Sequence, residues 1–327
     1  MSTDTQETRK QALARFNSQL GIGAGSYLTA RPASGMDMQP WHMTMALRRH
    51  LGHWTTLADG HCPYHPPAET DDETAGERLA STHHAVTCPR TGLQNTLHHD
   101  MTAAVVEVLR RAHIFTVKRE DTTCFDGAAV AGRDLRMDVV IPIGAIRGAE
   151  DRDIREKRIL CDITVANPSG KSAIRLHHTD TRAGALAAVK ENLKRQQYSG
   201  TFSGAISTLV PFAVETYGRL GKDAEHLLKE LAEHAACVTG QHKSQLLCKW
   251  RQLISVSLQC AVSRRELCYV HKLRTRAQQP GGAQTVRPIE HMWDLIADAS
   301  ANAPTTAAHG PGRRGIVSAR AAPINAQ

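Results

Sequence analysis

Apolar residues recur at helical spacing in 41–51 (WHMTMALRRHL), 92–112 and 181–198 (TRAGALAAVKENLKRQQY), and the pattern predicts an amphipathic helix over each, the last capped by Asp180. Further helices are expected at 8–17, 222–238 and 241–272. Five runs break the helical period. LRMDVVIPI at 135–143, ILCDITVA at 159–166 and LVPFAVE at 209–215 are rich in β-branched residues and read as central strands. HIFTVKR at 113–119 reads as a further strand, and SYLTA at 26–30 as a short one. GIGAG at 21–25 lacks the lysine and strand-to-helix frame of a phosphate loop and reads as a turn, as does YGRLG at 217–221. Helix, three strands, helix and strand in that order predict an α/β core with helices on the faces of a mixed sheet. Residues 52–90 have no periodicity but many His, Pro and Cys; such a segment folds only if something cross-links it, and a metal is the candidate. Beyond Arg274 the chain turns Ala-, Pro- and Gly-rich and is expected to be mobile, apart from a short helix at 289–299.

Charge narrows the class. Forty Lys and Arg against 32 Asp and Glu give +8, which suits a polyanionic partner, although a basic soluble protein with a basic tail has the same balance. Aromatics at 4% argue against base-stacking platforms. The eight cysteines form no C-x-x-C pair and no disulfide framework, so they read as reduced thiols. With no apolar leader and no run of roughly 18 apolar residues, nucleus or cytoplasm is expected, without a membrane.

Two acids stand out. Asp138 and Asp162 each sit among apolar residues on neighbouring central strands, where a lone carboxylate is costly unless it meets a metal or a cation. Metal-dependent nucleases hold Mg²⁺ between such acids and add a lysine that orients water or steadies charge. The bland alternative is that both acids lie at strand ends facing solvent. The position two residues after the second acid, where restriction-type enzymes place the lysine, is Thr164, so Lys194 on the following helix is the candidate, with Tyr198 on the same face. Lys190 reads as a solvated helix residue and Glu107 as a third candidate acid.

The pieces GAGSYLTARP, MALRRHLG, HAVTCPRTG, HHD, RMDVVI, LCDITVANP, KRQQY, PFAVETYGRLG and LISVSLQCAVSR, in that order between about Gly21 and Leu273, resemble the C-terminal region of reverse-transcriptase polyproteins of non-LTR retrotransposons. Those polyproteins end in a zinc knuckle and a restriction-endonuclease-like core of the PD-(D/E)xK type. The resemblance implies a zinc-knuckle-like segment in 1–91, a nuclease core in 92–235, a helical extension in 236–274 and a tail in 275–327. It gives Asp138 and Asp162 to Mg²⁺ (or Mn²⁺) and makes Lys194 and Tyr198 the helix-borne catalytic pair. It implies nicking of target DNA, with the element's RNA as a further candidate partner. Met137 stands where proline is common, and the connector 144–158 is long and charged. No polymerase sequence precedes the knuckle, so a truncated copy is expected; a catalytically inactive nucleic-acid-binding derivative, or a relic, is the competing expectation.

By the same resemblance Cys62 and His65 take the first two zinc positions, and His84 and Cys88 the others, with His61, His83 and His99 as substitutes; a polar loop with unpaired cysteine is the alternative. The zinc is structural in this reading, with Arg90 beside it as a DNA contact. Arg48, Arg49, Arg110, Arg111, Lys118 and Arg119 are candidates for a phosphate-contacting rim, with Arg313, Arg314 and Arg320 as a weaker one.

Overall fold

The computed structural model describes residues 4–5, 8–62, 79–88, 93–126 and 135–277; His65, Arg90, Arg313, Arg314, Arg320 and the helix expected at 289–299 lie outside them. The architecture is α/β. A four-stranded mixed sheet runs in the order β4 (Lys118–Asp121), β5 (Met137–Ile141), β6 (Arg158–Ala166) and β7 (Ser207–Glu215). β4–β5 and β5–β6 are antiparallel, and β6–β7 is parallel. The parallel pair requires a crossover, which α6 (Lys171–His177) and α7 (Ala185–Gln197) supply. β5 is buried at all five positions, so both sheet faces are covered. Val139, Ile141, Cys161, Ile163 and Phe212 meet α4 (Leu93–Arg111), which contributes Leu97, Met101, Val105 and Val108 at helical spacing. On the other side Val140 and Leu160 cluster with Tyr198 and Phe125.

The register places the acids. Val140 pairs with Leu160 and Val139 with Cys161, and the same register sets Asp138 opposite Asp162. Opposed residues of an antiparallel pair share a face, and residues two apart on a strand do too. Asp138 and Asp162 therefore lie on the Tyr198 side, one step beyond Val140 and Leu160.

A second sheet, β1 (Asp4–Thr5), β2 (Trp54–His61) and β3 (Leu79–Ser81), is antiparallel and is followed directly by α3 (Thr82–Thr87). Thus part of 52–90 is regular, which its lack of periodicity hid. The longest element, α9 (Lys243–Ala277), has 35 residues, about 52 Å of helix, and touches both halves of the molecule. Trp250, Leu253, Ile254 and Leu258 enter the main core, while Tyr269, Val270 and Leu273 pack with Met45, Cys62, Ala85 and Cys88. α8 (Lys222–Thr239) packs beside it over β7.

Four expectations need correction. Residues 26–29 form a 3₁₀ helix, not a strand; Tyr27 N–H donates to Ser255 Oγ on α9 at 3.2 Å instead of to a sheet partner. The strand expected at 113–119 begins only at Lys118, because His113 takes φ 62° and closes α4, with Ile114 N–H donating back to Leu109 O. The helix expected from 181 starts at Ala185: Gly184 has φ 73°, and 178–182 is a turn closing the unforeseen α6. Arg49 does not face DNA. It is 2% exposed, pairs with Glu266 at 2.8 Å and donates to Gln259 Oε1 at 2.8 Å, pinning α2 (Pro40–Leu51) to α9. Among the described residues no helix is long and apolar enough to cross a membrane.

Candidate functional site

β5, β6, α4, α6 and α7 surround a cleft of about 880 Å³ that both acids line. Asp162 of β6 is 3% exposed and is held from α7 and its C-cap: Tyr198 OH donates to its Oδ2 at 2.6 Å, and Lys194 Nζ lies 2.9 Å from Oδ1 and 3.1 Å from Oδ2. Only the Oδ2 contact has hydrogen-bond geometry; the buried Oδ1 faces the ammonium as an ion pair without a hydrogen bond. Burial pushes the Asp162 carboxyl above its ordinary range, and Asp138 adds to this; Lys194 and Tyr198 pull the other way without cancelling it. Burial therefore outweighs the protein's own cations at this carboxylate.

Asp138 is held from two other sides. Its Oδ2 accepts from Ile163 N–H at 2.7 Å, a cross-strand bond that fixes the carboxylate plane. Its Oδ1 faces His98 Nε2 of α4 at 3.0 Å, and that hydrogen bond raises the pKa of the imidazole. The structure thus brings Asp138, Asp162, Lys194 and Tyr198 to one cleft. Tyr198 holds Asp162 rather than Lys194, whose ammonium is 5.9 Å from the ring centroid. Burial, then Asp162, raises the tyrosine pKa, so the phenol stays a donor.

Other assignments move. Glu107 is no third acid of this cleft; it binds Arg110 and Arg111 at 2.8 Å along α4. Lys118 pairs with Asp121. None of Arg48, Arg49, Arg110, Arg111, Lys118 and Arg119 lines the cleft; its cations are Arg136, Lys190, Lys194 and Arg265. Lys190 therefore faces the cleft instead of open solvent. His98 was visible in the sequence only as part of HHD, and its role follows from the one α4 face that meets β5. Arg136 and Arg265 carried no signal at all, because a strand-end arginine and a mid-helix arginine are ordinary.

A second cluster lies behind the cleft. Cys62 just after β2, His84 of α3 and Cys88 just after α3 are buried and bring one donor atom each within 4.8 Å of one another. α3 sets His84 and Cys88 one turn apart, with Cys88 N–H bonded to His84 O at 2.8 Å. The sulfurs are 3.9 Å apart, close to the roughly 3.8 Å that two thiolates span on a tetrahedral zinc at about 2.3 Å each. The donor set fits zinc, and His65, expected as the fourth ligand, lies outside the described residues. His83 and His99 do not join this cluster: His83 contacts Ser169 Oγ at 3.2 Å, and His99 lies 3.7 Å from Glu120.

The two sites share a wall. α3 and the residue after it divide between them, His83 and Val86 lining the cleft while His84 and Cys88 supply the cluster. Arg265 of α9 lines the cleft and donates to Ala85 O and Cys88 O, both at 3.0 Å, closing the C-terminal end of α3. Among the described residues His98, Asp138 and Asp162 do not reach the compactness of Cys62, His84 and Cys88. No model of a protein family matches the chain, and none of the curated proteins does.

Proposed function

We propose that this chain is a restriction-endonuclease-like module that cleaves DNA phosphodiesters with Mg²⁺ or Mn²⁺, of the kind found at the end of non-LTR retrotransposon polyproteins, and that it works in the nucleus beside a structural zinc. One observation carries the reading: Asp138 and Asp162 stand opposite each other on adjoining antiparallel strands, on one face, in a cleft where Lys194 reaches Asp162.

Asp138 and Asp162 would hold the divalent ion, with Asp162 Oδ1 as the oxygen ready to bind it. The ion, when bound, neutralises phosphate charge and makes a bound water a better nucleophile. Ile163 N–H keeps Asp138 oriented, and Tyr198 keeps Asp162 oriented through Oδ2. Lys194, moving from the carboxylate toward a bound phosphate, would stabilise the charge that builds on its oxygens. Arg136, Lys190 and Arg265 offer backbone phosphates sequence-independent contacts along the cleft.

A second reading, a nucleic-acid-binding protein without hydrolysis, is favoured by the looser spacing of the cleft donors and by Thr164 at the usual lysine position. Supercoiled plasmid separates the two. The endonuclease reading expects nicking with Mg²⁺ or Mn²⁺, a loss of about a hundredfold or more in Asp162→Asn, and unchanged retention of DNA in gel shifts. Equal nicking by Asp162→Asn would falsify the assignment, and retention without nicking by the unaltered chain selects the second reading.

A further inference from the structure

We propose that His98 is a direct ligand of the cleft cation, completing an Asp138–Asp162–His98 set that prefers Mn²⁺ or a similar transition ion to Mg²⁺. The inference rests on the endonuclease reading and deepens it by naming the third donor and the ion class.

Three observations carry it. First, His98 Nε2 and Asp138 Oδ1 are 3.0 Å apart, about the separation of two neighbouring donors on a six-coordinate ion with bonds near 2.1 Å. Second, Asp138 is tied through the other oxygen: Oδ2 is held by Ile163 N–H, so Oδ1, the oxygen beside His98, is the one turned to the cleft. Third, His98 itself lines the cleft on α4, with its side chain 35% exposed. An ion arriving from solvent would meet Nε2 and Oδ1 side by side. On binding, the Nε2 proton that bonds Asp138 would leave to solvent while Nδ1 carries the ring proton, so that the neutral imidazole offers its Nε2 lone pair to the ion. Asp162 stands wider than these two, since the three donors do not all lie within 4.8 Å of one another, and would join by turning Oδ1 away from Lys194. An imidazole among oxygen donors shifts preference from Mg²⁺, which favours oxygen ligands, toward first-row transition ions.

The test uses the full chain loaded with zinc, so that the Cys/His site is filled, and Mn²⁺ alone as the probe. Mn²⁺ binding is read by electron paramagnetic resonance, with pulsed detection of the nitrogen coupling that a coordinated imidazole gives, and Mg²⁺ is titrated in competition. Nitrogen coupling is expected in the unaltered protein and absent in His98→Gln. That variant should lose about tenfold in Mn²⁺ affinity with little change for Mg²⁺. Glutamine keeps a polar partner for Asp138, so the fold survives; His99→Gln, one residue along the same helix and outside the cleft, should leave both readouts unchanged. Bound Mn²⁺ that is lost in Asp162→Asn but shows no nitrogen coupling, or an unchanged Mn²⁺/Mg²⁺ ratio in His98→Gln, overturns the role of His98 and leaves the endonuclease reading standing. No Mn²⁺ binding by the unaltered chain overturns both.

Discussion

The Cys62–His84–Cys88 cluster and the Asp138–Asp162 cleft are neighbours built on opposite plans. The first is buried, compact and made of soft donors; its residues touch within the core that α9 completes. The second is open, its hard donors are spread, and each is already engaged by a different partner. A site that closes on its ion is suited to holding structure together, whereas one that keeps an open side leaves room for substrate and water. The difference teaches that donor type and exposure, read together, set a compact buried cluster apart from an open polar cleft even when both lie against the same helix, α3.

The largest effect that can break this comparison is loss of the zinc. Cys88→Ser should reduce bound zinc from one per chain to near none by elemental analysis. Structural zinc is worth on the order of 10 kcal/mol, so the β2–β3–α3 unit should become protease-sensitive while the four-stranded sheet stays protected. Full protection without zinc would show that the cluster is a packed core and nothing more.

Next comes the shared wall. Arg265→Met removes two donors from Ala85 O and Cys88 O, leaving buried carbonyls unpaired at a cost of about 2–4 kcal/mol. Burial pulls the Arg265 guanidinium down to about 10, which marks it as a costly charge held for its bonds. Both zinc retention and DNA retention should weaken in this variant, measured by chelator competition and gel shift. An effect on one alone would uncouple the sites.

A smaller effect has the opposite sign. Burial holds the Asp162 carboxyl above its ordinary range, so the native state disfavours its charged form. A raised carboxyl stabilises the fold below the unfolded value near 3.9, and that advantage is lost as pH rises through the folded value. At pH 7, without added divalent ion, Asp162→Asn should therefore melt about 2–4 °C higher than the unaltered chain, with the gap closing toward pH 4. A lower melting point at pH 7 would mean that the Lys194 pair stabilises the fold more than burial costs it.

The smallest effect belongs to Glu107, whose carboxyl the Arg110 and Arg111 hydrogen bonds, against a burial cost, lower from 4.5 to about 2. Its stabilisation is present above 4.5 and lost as pH falls toward 2. Exchange for glutamine should cost less than about 1 kcal/mol at pH 7 and nothing at pH 2, with DNA retention unchanged, since Glu107 stands outside the cleft. Reduced retention would return it to the site.

The sheet and its acids were legible because β5 and β6 are long apolar runs in which Asp138 and Asp162 are the anomalies; burial of a lone charge is a local signal. The Cys/His cluster was legible in donor type and partly in spacing. What escaped were features decided by tertiary partners. Gly184 and His178, with their left-handed backbones, reset the start of α7. Arg49 is indistinguishable from a solvated arginine until Glu266, 217 residues away, meets it. The cleft cations Arg136 and Arg265 and the His98–Asp138 contact join elements that no window of sequence joins.

Under the proposed function two ions of different kinds would serve two places. Its most direct test passes the purified chain through EDTA and gel filtration, assays zinc, and then offers supercoiled plasmid with and without added Mg²⁺ or Mn²⁺. The predicted result is one zinc retained per chain and nicked circles only where the second ion is restored. Intact plasmid under every condition, with the zinc retained, would contradict it.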